Sequence, residues 1–319
     1  MSAKFYLSVV FAFFVSAAGL TTAVAQPRSE NTRQKVRTVT IPISFYTKKE
    51  LATDRASEFI EADQILVKED LEDQAILSIR SVATNPLSLA ILIQDELTTD
   101  VNLQLSEIAR FIRGLPKGTR VMVGYIRGGS LDIRQKFTDD QEKAAKSLRL
   151  VTGSSNNSTN GPFGGLSDAL GKFDGLPGGR RAVLLVSDGF DANQMDSLSG
   201  NSQSPDLDRA IVRAQKRGIA VYSIFTSGPL TVEPNSRFTS SAQGSLQKVS
   251  DETGGRAFFQ GLSSPVSFEP FFKDLVILTR RQFALTYLST HMKKGYHKVQ
   301  VISTNPEVKV QYPSGYFYR

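Results

Sequence analysis

From Leu87 to Gln94 the chain reads LSLAILIQ, apolar at six of its first seven positions and followed at once by Asp95 and a polar turn. A run apolar on both alternating faces predicts a strand covered on both sides. The same pattern recurs in TRVMVGYIRG, in RRAVLLVSDGFD, which also ends on acids, and in IAVYSIFTSG. Between these runs the spacing changes to that of helices. Leu105, Ile108, Ile112 and Leu115 recur at intervals of three and four, with Gly114 and Pro116 as the stop. DDQEKAAKSLRLV is amphipathic, with acids at its start and bases towards its end, as a helix dipole favours. LSDALGKF, LDRAIVRAQKRG, SLQKVSDETGG and SFEPFFKDLVILTRRQ read as further helices, the last running into FALTYLS. Strands alternating with helices from Leu87 to about Leu288 predict an α/β fold, a mostly parallel central sheet covered by helices.

The ends of the chain have a different period. VRTVTIPISFYT alternates as a half-buried strand, with Pro42 arguing for an edge, and ILVKED and QAILSIRSVA read as two strands joined by an acidic turn. After Gly295, YHKVQVIS and VKVQYPSGYFYR alternate again. Neither end has enough core of its own, so the two are expected to pair as a small additional β module. SLDIRQKFT reads as a short hairpin partner of the strand before it, and TGSSNNSTNGPFGG as a loop.

Composition narrows the chemistry. Of 319 residues, 40% are hydrophobic and 22% charged, an ordinary globular balance, and the formal net charge of +7 is too mild to name an anionic partner. Cysteine is absent, which excludes disulfides and thiolate catalysis. Lys4, the apolar stretch FYLSVVFAFFVSAAGL and the small-x-small AVA at Ala23–Ala25 form the pattern of an export signal, with the mature chain starting at Gln26 and no later stretch resembling a membrane span. No Gly-x-x-x-x-Gly-Lys-Ser/Thr, dinucleotide fingerprint or Gly-x-Ser-x-Gly is present, so no enzyme site is assembled and the chain reads as non-enzymatic. The only histidines, His291 and His297, flank a Gly-containing turn; a zinc site there would need acids from elsewhere, and exposed turn residues are the favoured reading. Between Lys273 and Arg319, eight Lys or Arg stand against Asp274 and Glu307 alone, with Tyr287, Tyr296, Tyr312, Tyr316 and Phe317 interleaved. A solvated sheet face is favoured over a polyanion-binding surface, and export argues against nucleic acid.

These motifs, in this order, resemble a von Willebrand factor type A domain protein of a bacterial exported group, known mainly from acidobacterial genomes. ILVKEDLEDQAILSI is similar to that group's F-x-V-x-E-D-G-x-x-Q-x-I, with Leu71 and Glu72 where a glycine turn is expected. LAILIQDELTT stands at the first metal loop, VLLVSDGFD at the later T-D-G strand end, and FALTYLSTHMKKGYHKVQVISTNPEVKVQYPSGYFYR at the group's tail. The resemblance implies a Rossmann-like type A domain over 85–288, preceded by a signal peptide at 1–25, a flexible leader at 26–35 and a β-rich segment at 36–84, and followed by a β segment at 289–319.

It also implies a divalent ion, Mg²⁺, at the strand ends, with an open position for a partner's carboxylate. Carried over residue by residue, Asp95 matches the first acid, Thr99 a hydroxyl ligand and Asp188 the later acid; Leu97 and Gly164 fall on ligand positions and supply no side-chain oxygen. Asp191, Asp100, Glu96, Ser158 or Thr159 are the residues able to compensate. With two of five ligands missing, no cofactor is firmly expected and Mg²⁺ binding is expected to be weak or lost. Left without an ion, two close carboxylates repel unless they are separated or solvated, and one of them can then titrate upward. The implied function is an exported module, periplasmic or extracellular, that binds an unidentified protein through the strand-end loops bearing Glu96, Thr98, Asp100, Asn160, Pro162, Phe163 and Asp191. A structural role in the cell envelope and contact with an anionic surface stay open as alternatives.

Overall fold

Eight residues with no exposed side chain, Leu87–Gln94, form the strand around which one of two sheets is built. The computed structural model describes residues 35–47, 65–82, 85–153, 160–176, 180–191, 204–232 and 236–318. The expected export signal, most of the leader, and Ser158 and Thr159 lie outside these residues. In chain order the strands are β1 (Arg37–Thr47), β2 (Ile65–Glu69), β3 (Glu72–Ser81), β4 (Leu87–Gln94), β5 (Arg120–Arg127), β6 (Ser130–Thr138), β7 (Arg180–Ser187), β8 (Ala220–Phe225), β9 (Ala257–Phe258), β10 (Gln282–Ser289), β11 (Gly295–Ser303), β12 (Val308–Gln311) and β13 (Gly315–Tyr318). The helices are α1 (Leu105–Arg113), α2 (Gln141–Lys146), α3 (Phe163–Gly171), α4 (Pro205–Arg217), α5 (Ser236–Glu252) and α6 (Glu269–Arg280), with a 3-10 helix at Thr99–Gln104.

The first sheet has six strands in the order β6-β5-β4-β7-β8-β9. Alternation along β4 divides its core. Leu87, Leu89, Ile91 and Ile93 pack on one face with residues of α1 and α6. Ala90 and Leu92 pack on the other with residues of α3, α4 and α5. Ile91 and Leu185 are fully buried, and β4 and β7 are direct neighbours with Ile91 opposite Leu184. Local chemistry sets the helix ends: Asp140 accepts from the Lys143 amide to cap α2, and Ser204 caps α4, which ends at Gly218 with φ of 60°.

The expected mostly parallel, Rossmann-like sheet with a minor β addition needs correction on both counts. The first sheet is mixed: β6 runs antiparallel to β5. Gly128 and Gly129, at φ of 56° and 78°, turn the chain straight back, so Arg127 faces Ser130 and no helical crossover intervenes. The second sheet is the larger. It has seven strands in the order β12-β1-β10-β3-β2-β11-β13, interleaving the two ends of the chain, and all its pairings are antiparallel. Its strands bury one face around Val39, Ile41, Ile43, Ile65, Val67, Leu285, Tyr287 and Val301, the one-sided burial typical of antiparallel sheets. FALTYLS, expected to end the parallel sheet, is β10 and lies between β1 and β3. Strand β12 covers only Ser44–Thr47 of β1, so among the described residues Pro42 sits where β1 has β10 as its only strand neighbour. Among the described residues no helix is long and apolar enough to cross a membrane.

Candidate functional site

Parallel strands deliver their carboxyl ends to one edge of the six-stranded sheet, and Asp95 is the first residue past β4. Its amide donates to the Ile126 carbonyl at 2.8 Å, and its side chain is 1% exposed. Both carboxylate oxygens face one guanidinium: Arg149 Nη1 donates to Oδ1 at 2.7 Å and Nη2 to Oδ2 at 3.0 Å. Arg127 Nε lies 3.8 Å from Oδ2 as a second, more exposed cation. A fork-on-fork pair of this kind is the strongest ordinary ion-pair geometry.

Tyr125 on β5 fixes where that guanidinium sits. Its buried hydroxyl donates to the Arg149 carbonyl at 2.6 Å and accepts from the Arg149 amide at 2.8 Å. The guanidinium carbon lies 4.0 Å from the centre of the same ring. This depends on α2 stopping at Lys146. The helical pattern in DDQEKAAKSLRLV continues to Val151, but the backbone leaves the helix after Ser147 and carries Arg149 over Tyr125. Hydrogen bonding to Asp95 pushes the ionisation of Arg149 further up, so the guanidinium stays charged.

Asp188, at the end of β7, is also buried but has no basic partner among the described residues. Its Oδ1 accepts from the Phe190 amide at 3.0 Å, and a Cβ on Gly228 would lie 2.2 Å from its Oδ2, so backbone closes over the carboxylate. Burial first, and then the charge of Glu96, push the Asp188 carboxyl up to about 7. Glu96 accepts from the Gly128 amide at 2.6 Å. Asp191 is buried and accepts from Ser204, the cap of α4, so it anchors a helix end.

The remaining residues expected at this edge are dispersed. Thr98 Oγ1 donates to the Ser227 carbonyl at 3.1 Å. Thr99 and Asp100 are exposed at the start of the 3-10 helix, and Asn160 is exposed with Nδ2 donating to the Gly128 carbonyl at 3.3 Å. Pro162 and Phe163 are buried, Phe163 completely, and present no surface to a partner. Leu97 is core. At Gly164 a Cβ would meet the Gly129 carbonyl oxygen at 2.8 Å, so no hydroxyl-bearing side chain fits there without displacing backbone. These residues do not fit Mg²⁺. The ion needs several converging oxygens, and here a guanidinium holds the first carboxylate, two positions offer no ligand and Thr99 is exposed to solvent.

Arg149 was not among the residues singled out from sequence. Nor were the apolar side chains at the same edge. Leu103, Leu150 and Val266 are 76%, 64% and 83% exposed, and Leu230, Val232 and Leu262 are exposed as well. Their loops are tied together. Asn102 and Val151 exchange side-chain and backbone bonds, Gln104 Nε2 donates to the Val266 carbonyl at 2.8 Å, and Ser264 accepts from the Ser227 amide at 2.8 Å.

Comparisons with known proteins give partial overlaps of shape. No family profile matches the chain. No curated protein matches it either. A von Willebrand factor type A protein from Catenulispora acidiphila overlaps 82% of this chain and 75% of its own, at 11% identity and a TM-score of 0.41. The PilB minor pilin from Streptococcus sanguinis overlaps 61% of each chain at 13% identity and a TM-score of 0.43. BatB from Bacteroides thetaiotaomicron overlaps 60% of this chain and 96% of its own at 15% identity and a TM-score of 0.39. The likeness is distant, and the reading of the site rests on the geometry above.

Proposed function

We propose that the chain is a non-enzymatic protein-interaction module. It binds an apolar protein surface through the strand-end loops, and binding does not depend on a metal. The observation that carries this reading is the exposure of Leu103, Leu150 and Val266 on loops pinned to one another by hydrogen bonds. Exposed large apolar side chains gathered at one edge mark contact surfaces more often than single scattered ones do. The Asp95–Arg149 pair holds the same edge in place from within. In this reading the loops act in the periplasm or outside the cell, as the N-terminal pattern of the sequence suggests.

Affinity capture from cell-envelope extract, comparing the native chain with a Leu103→Glu/Val266→Glu variant, tests the reading. The captured partner should persist in chelator and be lost with the variant. Equal capture by both chains, or capture that requires Mg²⁺, refutes it.

A further inference from the structure

The two histidines are not exposed turn residues. His297 on β11 is 4% exposed, and His291 lies in the β10–β11 connection with its Nδ1 buried. Pairing of the chain ends brings both to the β2–β3 turn and its acids. His297 Nδ1 is 2.8 Å from Asp70 Oδ2 and 3.4 Å from Glu69 Oε1. His291 Nδ1 is 3.7 Å from Glu69 Oε1, and its Nε2 is 3.6 Å from Glu72 Oε2.

Proton placement makes this arrangement incomplete. His297 Nε2 lies 2.7 Å from the Lys293 carbonyl, which only accepts, so Nε2 carries a hydrogen. In neutral imidazole that leaves the Nδ1 lone pair facing two carboxylates. Glu69 is completely buried: Oε1 accepts from Ser289 at 2.9 Å, Tyr316 at 2.7 Å and Arg37 at 3.3 Å, whereas Oε2 has no partner in hydrogen-bond geometry among the described residues. His291 Nδ1 also lacks a partner in hydrogen-bond geometry among the described residues. Glu69, Asp70 and Glu72 stand against Arg37, so the group carries two excess negative charges when both imidazoles are neutral. The Lys298 amide adds a fixed donor to Asp70 Oδ1 at 2.9 Å, and the Lys293, Lys294 and Lys298 side chains are exposed.

We infer that Glu69, Asp70, His291 and His297 form a binding site for a divalent transition-metal cation of the Zn²⁺ type, which clasps the β2–β3 turn to the β10–β11 connection. One ligand atom from each of Glu69, Asp70 and His297 already lies within 4.8 Å of the others. Tetrahedral Zn²⁺ with bonds of about 2.0–2.2 Å sets its ligands roughly 3.3–3.5 Å apart, close to the spacings here. A proton on His297 would satisfy Asp70 alone; a divalent ion between Glu69, Asp70 and His297 faces both carboxylates and offsets their charge, and His291, whose Nδ1 is 3.7 Å from Glu69 Oε1, joins as the fourth ligand by a small shift. Mixed nitrogen and oxygen donors favour Zn²⁺ over Mg²⁺. The Lys293 carbonyl, by holding Nε2–H, orients the Nδ1 lone pair inward as a supporting contact does in metal sites.

The experiment is calorimetric titration and thermal melting of the chelator-treated full chain with Zn²⁺ and with Mg²⁺ at neutral pH. Zn²⁺ should bind one-to-one and raise the melting temperature, and Mg²⁺ should do neither. His291→Ala and Asp70→Asn should each weaken Zn²⁺ binding more than about tenfold. Asp70 lies on an exposed turn, so its variant keeps the test open if the other fails to fold. Absence of saturable Zn²⁺ binding, or binding unchanged in a folded variant, overturns the inference. So does a melting temperature that rises on mild acidification while Zn²⁺ adds nothing, because two protons would then fill the place of the ion.

Discussion

Replacing Arg149 with Met isolates the contact on which the strand-end site rests. The substitution keeps a long apolar stem and removes both hydrogen bonds to Asp95, at 2.7 and 3.0 Å. It leaves a carboxylate that is 1% exposed without its bidentate partner. Breaking a buried pair from one side costs about 3–5 kcal/mol, because the remaining charge stays desolvated. Two features reduce that figure here. The Arg149 side chain is 28% exposed, so water can follow its removal, and Arg127 remains 3.8 Å from Oδ2. Loss of the stacking on Tyr125 adds a smaller amount, about 0.5–1 kcal/mol. The expected net cost is about 2–4 kcal/mol.

Equilibrium urea unfolding at pH 7 measures it, alongside Asp95→Asn and the double variant. If the cost is that of a stranded charge, the double variant should be markedly more stable than the sum of the two single losses predicts, with a coupling of about 2 kcal/mol or more. Mg²⁺ should not restore Arg149→Met, since Leu97 and Gly164 still supply no ligand. A cost below about 1 kcal/mol, or strict additivity in the cycle, would refute the idea that the guanidinium serves as the internal cation of this site.

Asp188 provides a pH test. Its carboxyl titrates near 7 in the fold against 3.8 ordinarily, so the native state keeps a proton that the unfolded chain has lost between those values, and stability should fall as pH rises from about 4 to about 7. At about 1.4 kcal/mol per unit over roughly three units, the fall is at most about 4 kcal/mol; Asp188→Asn should flatten it in urea unfolding at pH 5 and 8, and an unchanged slope would count against the assignment. Leu71 tests the turn: at φ of 76° and 73% exposed it occupies a conformation that glycine adopts freely. Leu71→Gly should stabilise the fold by about 0.5–1 kcal/mol, strain relief of about 1–2 kcal/mol less the added backbone entropy; a loss of stability in the same assay would show that the Leu71 side chain makes a contact worth more than the strain.

Strands β4 and β7 were legible because both their faces are apolar and each run is only 8 residues long, short for a helix and ordinary for a buried strand. The β2–β3 turn was legible from its acids. What the pattern could not carry was partnership between distant segments. FALTYLS has the alternation of many strands, and only its pairing with β1 and β3 decides its sheet. Arg149 falls within a continuous amphipathic run, and the end of α2 at Lys146 is set by the bonds from Tyr125, 24 residues earlier. Pro162 and Phe163 looked like exposed loop residues, yet close packing of Gly161 on Asp191 and Gly165 on Ile126 draws that segment inward. The histidine cluster arises only where β11 pairs with β2, which sets His297 beside Glu69 and Asp70 across more than 200 residues of sequence.

The two carboxylate sites answer the same physical problem in opposite ways. At the strand ends, Asp95 is neutralised by a covalently attached cation, which cannot dissociate, exchange or respond to ion concentration. Asp188, its carboxyl pushed up to about 7 by burial, is relieved below that pH by keeping its own proton. Neither device leaves an open coordination position, so any partner at that edge must be recognised by shape, apolar contact and hydrogen bonds, and its affinity should not vary with divalent ions. In the antiparallel sheet, Glu69 and Asp70 meet two imidazoles and one guanidinium, and the charge balance does not close without an additional cation or protons. Sensitivity to ions therefore belongs to the sheet that joins the ends of the chain. There, ion binding would tighten the scaffold rather than touch the edge proposed to bind a partner.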